Sequence, residues 1–268
     1  MHRFHVTRFT ASVLIPGQGR LPVAATAEFT PSSGASSTVA ATDRAPRGDA
    51  TAWSYLMPDH QARWNPCQPI GYRLNKANAP KGTVTSVAEA LQRVTARSGL
   101  RFVYQGATRI VPGAAKPRAY PSDTDIVMAW SSPGESSYLS GGPSGYAGAS
   151  ASPATDEAGR SARVLSRGFG VLDQTIYRQL GAGFGRGPTT GYQGTRGQLL
   201  MHEIGHTVGL GHADDDSAQT MYPMMSRKLA VWGAGDITGL GMVGASRGCL
   251  VPETSARVQQ RTITTAMR

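Results

Sequence analysis

His202-Glu203-Ile204-Gly205-His206-Thr207-Val208-Gly209-Leu210-Gly211-His212, followed nine residues later by Met221-Tyr222-Pro223, is the most informative segment of this chain. On a helix, positions four apart share a face, so His202 and His206 can aim ring nitrogens at one ion. Glu203 stands about 100° further around the axis, which puts its carboxylate beside such an ion rather than on it. It suits a base better than a ligand. Gly209 can take the left-handed conformation that ends a helix, and the chain can then turn to bring His212 to the same ion. Three neutral imidazoles leave a fourth tetrahedral position for water, the arrangement of a catalytic rather than a structural zinc. Zinc lowers the pKa of that water to about 7, and Glu203 can accept its proton as it attacks a polarised carbonyl. The chemistry implied is hydrolysis of an amide bond.

These residues resemble the signature of the metzincin zinc endopeptidases, a long histidine motif with a Met-turn. Met221-Tyr222-Pro223-Met224 is similar to the Met-turn of the matrixin branch, and the span from Trp64 to Leu250 resembles the secreted bacterial matrixin-like peptidases. The resemblance implies zinc on His202, His206 and His212, with Glu203 as general base and proton shuttle. Met221 would be an apolar floor beneath the site. It also implies an α/β (α+β) metzincin-like fold: a twisted, mostly parallel sheet with an antiparallel edge strand, two packed helices, and a small irregular C-terminal subdomain ending in a helix. A protein or peptide would be the substrate. The chain departs from animal matrixins in two respects. It has no histidine between Gln61 and Met201, so one zinc is expected rather than two, and Met225 stands where those enzymes have tyrosine. Residues Met224 to Trp232 are expected to wall the pocket beyond the scissile bond.

Of six histidines, the three outside the motif are His2, His5 and His60, so from Gln61 onward the motif holds the whole imidazole supply. Calcium through oxygen ligands is left open at Asp214, Asp215 and Asp216, a cluster that also reads as a solvated acidic turn. The net charge of +10 would suit nucleic acid. With only four lysines and scattered arginines, no nucleic-acid partner is expected. A zinc-containing binding protein for anionic cell-surface polymers, inactive as a peptidase, is the alternative reading; an intact Glu203 argues against it.

The domain plan is a low-complexity leader or linker over 1–50, a catalytic domain over 51–255 and a tail over 256–268, working as a monomer. Arg3 and Arg8 before the apolar run from Phe9 to Ile15, with Ala25-Thr26-Ala27 beyond, resemble an export signal, interrupted by Pro16, Gly17 and Gly19. No apolar run approaches the roughly 20 residues that span a membrane. A secreted location follows as an expectation. In that setting Cys67 and Cys249 pair most simply as a disulfide. The alternative is Cys67 as an inhibitory thiolate on the zinc, although Asn65-Pro66-Cys67-Gln68-Pro69 lacks the Arg and Gly of the matrixin cysteine switch.

Periodicity supplies the scaffold. Ile70 to Leu74 alternates as a first strand, and Val84, Val87, Ala88, Leu91 and Val94 recur at helical spacing. Arg101 to Tyr104, Asp125 to Trp130 and Gly168 to Leu172 are apolar runs of strand length. The glycine-rich stretch from Gly141 to Gly148 falls where the resemblance places the edge strand, on which an extended substrate could pair. Thr195 and Gln198 fit a capping box that starts the motif helix at Arg196, and Asp236 reads as the N-cap of a closing helix.

Overall fold

The computed structural model describes residues 46–58, 61–252 and 261–267. The export-signal residues, His2, His5, His60 and most of the leader lie outside them. The chain runs through β1 (Ile70–Asn75), α1 (Thr83–Ser98), β2 (Phe102–Ala107), β3 (Ile126–Ser131), β4 (Gly145–Asp156), β5 (Ser161–Asp173), α2 (Gln174–Gln179), α3 (Arg196–Thr207), α4 (Ala234–Val243), β6 (Leu250–Pro252) and β7 (Arg261–Met267).

One sheet takes the order β2-β1-β3-β5-β4-β6, with β7 also on β4. β1 pairs in parallel with β2 and β3, and β3 with β5; β4 alone turns antiparallel to β5. The fold is therefore a mixed α/β sheet, mostly parallel, with an antiparallel edge strand. Parallel strands buried on both faces read as unbroken apolar runs. β3 is such a strand, its Ile126, Val127, Met128, Ala129 and Trp130 all buried.

One face of the sheet carries the main core. There Val87, Ala90, Leu91 and Val94 of α1 meet Leu199, Leu200 and Ile204 of α3 over Leu74, Met128 and Ala149. Gly99 closes α1 at φ 71°, a left-handed residue whose N–H reaches the Thr95 carbonyl. A thinner layer covers the other face, where Tyr138 stacks on Tyr146 and on Phe169 with ring centroids 4.9 Å apart in both pairs.

The periodic segments form where their pattern placed them, with shifts at the ends. The glycine-rich stretch divides: Gly141 and Gly142 take positive φ in a turn, and β4 begins only at Gly145. Its small residues let α3 lie close against it. Two caps differ from expectation. Thr195 does accept from the Gln198 N–H, yet the Gln198 side chain reaches away to accept from the Ser226 N–H at 3.3 Å, leaving half a capping box. The N-cap of α4 is Gly233; Asp236 sits three residues inside and its carboxylate reaches back to the Gly233 N–H.

Cys67 and Cys249 form a disulfide with Cα atoms 5.5 Å apart. Beside it, buried Arg63 donates to the carbonyls of Gly248 and Arg247, while Asn65 exchanges two bonds with the Leu250 backbone. The head of the domain is thereby clamped to its end.

Candidate metal centre

α3 places its residues by helical geometry and then stops where the site needs it to. His202, Glu203 and His206 are all fully buried on this helix, with Leu200, Ile204 and Val208 buried behind them. The Trp64 indole N–H donates to the Thr207 carbonyl at 2.8 Å and secures the last turn. Gly209 follows at φ 111°, a conformation that a side chain disfavours. From there the chain doubles back, with the Leu210 N–H bonded to the Gly205 carbonyl, and His212 arrives opposite the helix.

The three rings face one another, the His212 centroid lying 5.2 Å from that of His202 and 4.9 Å from that of His206. One nitrogen from each histidine falls within 4.8 Å of the other two. The tautomers follow from the neighbours. His202 Nδ1 lies 2.8 Å from the Thr220 carbonyl and His206 Nδ1 lies 2.8 Å from the Leu210 carbonyl. A carbonyl only accepts, so each Nδ1 carries the proton and each Nε2 presents a lone pair. Those two Nε2 atoms stand 3.0 Å apart. Neither has a proton to donate, so the pair is no hydrogen bond; the lone pairs converge on one point, as they do on a shared cation. Backbone carbonyls that fix the far nitrogen of a ligating histidine orient the ring and strengthen it as a donor.

Electrostatics prepare the same state. Burial drives His202 down to about 3, with His212 adding to the effect, and drives His206 well below the usual imidazole value. His212 is lowered by burial as well. All three are neutral at pH 7, the form that binds metal. Burial pushes Glu203 the other way, well above the usual carboxylate range. Both its oxygens are buried without a hydrogen-bond partner among the described residues. An orphaned carboxylate in a fully enclosed position is costly unless a cation or a polar ligand stands beside it. The donor set of three imidazoles and the orphaned acid together fit a metal such as zinc.

Two further residues shape the site. Gly145, at the start of β4, backs onto Glu203: a Cβ there would lie 2.5 Å from Glu203 Oε1. Asp236 is buried on α4 and accepts from the N–H groups of Thr220 (2.5 Å), Met221 (3.1 Å) and Gly233 (2.8 Å). It thereby fastens the segment whose Thr220 carbonyl orients His202 and whose Met221 packs beneath the helix at Gly205. Burial lifts the Asp236 carboxyl to about 6 against the pull of those three donors. Sequence reading missed both roles. The one available signal was an acid between glycines in an apolar segment, which reads equally as a helix cap.

The remaining expected residues are scattered. Asp216 spends its carboxylate on the N–H groups of Asp49 and Ala218 and on the Gln219 amide. Asp214 and Asp215 are exposed. Met225 packs against Gly194 near the start of α3, while Met224, Leu229 and Val231 are exposed. Cys67, bound to Cys249, is held with the domain's end rather than with the histidines.

A family model described as Peptidase M66 matches residues 170–236, from the end of β5 through α3 to the first turn of α4. The matched stretch contains the three histidines, Glu203 and Met221. No curated protein matches the chain. The match and the three-histidine group support a metallopeptidase, and a peptidase implies a protein or peptide substrate.

Proposed function

We propose that this chain is a zinc-dependent endopeptidase, similar to the matrixins, that hydrolyses peptide bonds outside the cell. The observation that carries the reading is the convergence of the His202 and His206 Nε2 lone pairs, with His212 opposite, beside a buried carboxylate that has no hydrogen-bond partner among the described residues. His202, His206 and His212 would hold the metal. Zinc, when bound, supplies Lewis acidity toward the substrate carbonyl and makes a nucleophile of water near neutral pH. Glu203 takes the proton of that water and passes it to the nitrogen of the departing amine. A cation held by the three histidines would offset the charge of this carboxylate and let it ionise in a site where burial alone would keep it protonated. The β4 edge beginning at Gly145 offers the substrate a strand to pair with, which holds the peptide extended as it crosses the site.

The matrixin likeness rests on Met221-Tyr222-Pro223 and on Met221 lying under the active helix at Gly205. An extracellular setting is supported by the Cys67–Cys249 disulfide, since such bonds persist in oxidising compartments. The test is Glu203→Ala in the zinc-loaded chain. It should keep its zinc and lose about 10²- to 10⁴-fold in casein or peptide hydrolysis. Wild-type turnover in that variant would overturn the mechanism; a wild-type protein that hydrolyses nothing but holds zinc would favour the binding-protein alternative.

A further inference from the structure

β4 is a strand whose outer side is taken by two later strands of the same chain. β5 covers its inner side. β6 pairs with it at Ala154, Thr155 and Asp156, and β7 continues along the same side from Ala151 to Gly145. Both run antiparallel to β4, one behind the other. β7 therefore lies on the very edge that the proposed reaction reserves for substrate. The register is specific. Arg261 pairs with Ala151, Ile263 with Ala149, and Met267 with Gly145, the residue that backs onto the Glu203 carboxylate. β7 also approaches α3, the helix that carries Glu203 and two of the histidines.

The sequence of the segment suits this placement. Thr262-Ile263-Thr264-Thr265 is an uncharged β-branched run, which favours an extended strand. Chain length favours reversibility: residues 253–260 connect two strands whose partners on β4, Ala154 and Ala151, are only three positions apart. Eight residues are more than the gap between those partners needs, and a short tether keeps the strand at an effective concentration in the millimolar range beside β4.

We infer that Arg261–Met267 is a built-in occupant of the peptide-docking edge of β4, which an incoming extended substrate must displace. The inference rests on the endopeptidase reading for its consequence, lowered activity, but on strand pairing for its substance. A tethered strand competes with every substrate alike, so it raises KM on long peptides and leaves the hydrolytic step unchanged once substrate is seated. If the edge is open in about one molecule in ten, releasing the strand raises kcat/KM about tenfold.

The experiment uses the full chain carrying Thr264→Pro and Thr265→Pro. Neighbouring strand residues point their N–H groups to opposite edges, so one of the two prolines removes a donor aimed at β4. A fluorescent peptide of the sequence Arg261–Met267 is titrated into metal-free wild type and variant, read by anisotropy, and hydrolysis of a long peptide is measured after zinc loading. The expected result is at least tenfold tighter peptide capture by the variant and a fall in KM. Equal capture by the two proteins overturns the inference even if both are active peptidases. Capture by the variant alone, with hydrolysis by neither, upholds the occupied edge and overturns the endopeptidase reading. As a second variant, Ser150→Cys with Thr262→Cys joins directly opposed residues. The oxidised form should exclude the peptide and a reductant should restore capture, with wild type under the same reductant as reference. Undiminished capture by the oxidised form overturns the inference.

Discussion

The stretch before His212 and the stretch after it face the same metal site with opposite kinds of support. Before it, Leu199, Leu200, Ile204 and Val208 are buried among apolar side chains of α1 and the sheet, and the helix presents His202, Glu203 and His206 as a rigid row. After it, from Ala213 to Gly233, the chain forms no helix or strand. It is held by polar bonds instead: Asp236 to Thr220, Met221 and Gly233, the Gln219 side-chain amide oxygen Oε1 to the Asp236 N–H, and Asp216 to the Asp49 N–H. Apolar packing is non-directional and tolerates small shifts, whereas a buried carboxylate with three donors fixes the atoms it touches. The helix side should therefore govern stability, and the loop side should govern how well the metal is held.

Four measurements test that division of labour. The largest expected effect is on the clamp that joins the two ends of the domain. Replacing Cys67 and Cys249 by serine opens a loop of 182 residues, and the chain-entropy relation gives about 5 kcal/mol lost in urea unfolding. A loss below about 1 kcal/mol would show that Arg63 and Asn65 hold the clamp without the disulfide. Next, Ile204→Ala removes apolar packing behind the site and should cost about 2 to 4 kcal/mol, with metal affinity changed only a few-fold. Asp236→Ala should invert that pattern. It strands three N–H groups at about 1 to 3 kcal/mol in stability, yet weakens metal binding about 10- to 100-fold by releasing the Thr220 carbonyl from His202. If Ile204→Ala loosens the metal more than Asp236→Ala does, the division of labour is wrong.

The smallest effect is a pH dependence in the metal-free protein. Burial raises the folded-state pKa of Glu203 above its ordinary 4.5. The stability from that group is fully present below about pH 4.5 and is lost as pH rises through the folded value. Glu203→Gln has no such ionisation, so it should match wild type in urea midpoint below pH 4.5 and become the more stable of the two as pH rises. A difference that is constant from pH 4 to pH 8 would show that Glu203 is not buried as an acid.

The contrast also explains what could be read without coordinates. α1 and β3 were legible because burial on a regular element writes a period into the sequence, as with Val87, Leu91 and Val94. The start of α3 at Arg196 was legible from Thr195. Gln198 was misread as the second half of a capping box because its alternative partner, Ser226, is distant in sequence and carries no local signal. Asp236 was misread for the same reason. Cap position and buried anchor look alike along the chain, and only the approach of Thr220 and Met221 distinguishes them.

By itself, the sequence determined the alternation of strands and helices, the spacing that sets His202, Glu203 and His206 on a single turn of helix, and the glycine that ends it. These depend on residues within a few positions of one another, where backbone geometry converts spacing directly into direction. The tertiary structure alone decided that the Thr220 carbonyl fixes the His202 tautomer, that Gly145 backs onto Glu203, and that Arg261–Met267 lies along β4. Each is a meeting of backbone with a distant partner, and backbone atoms are the same at every position. No residue type announces where they will be brought together.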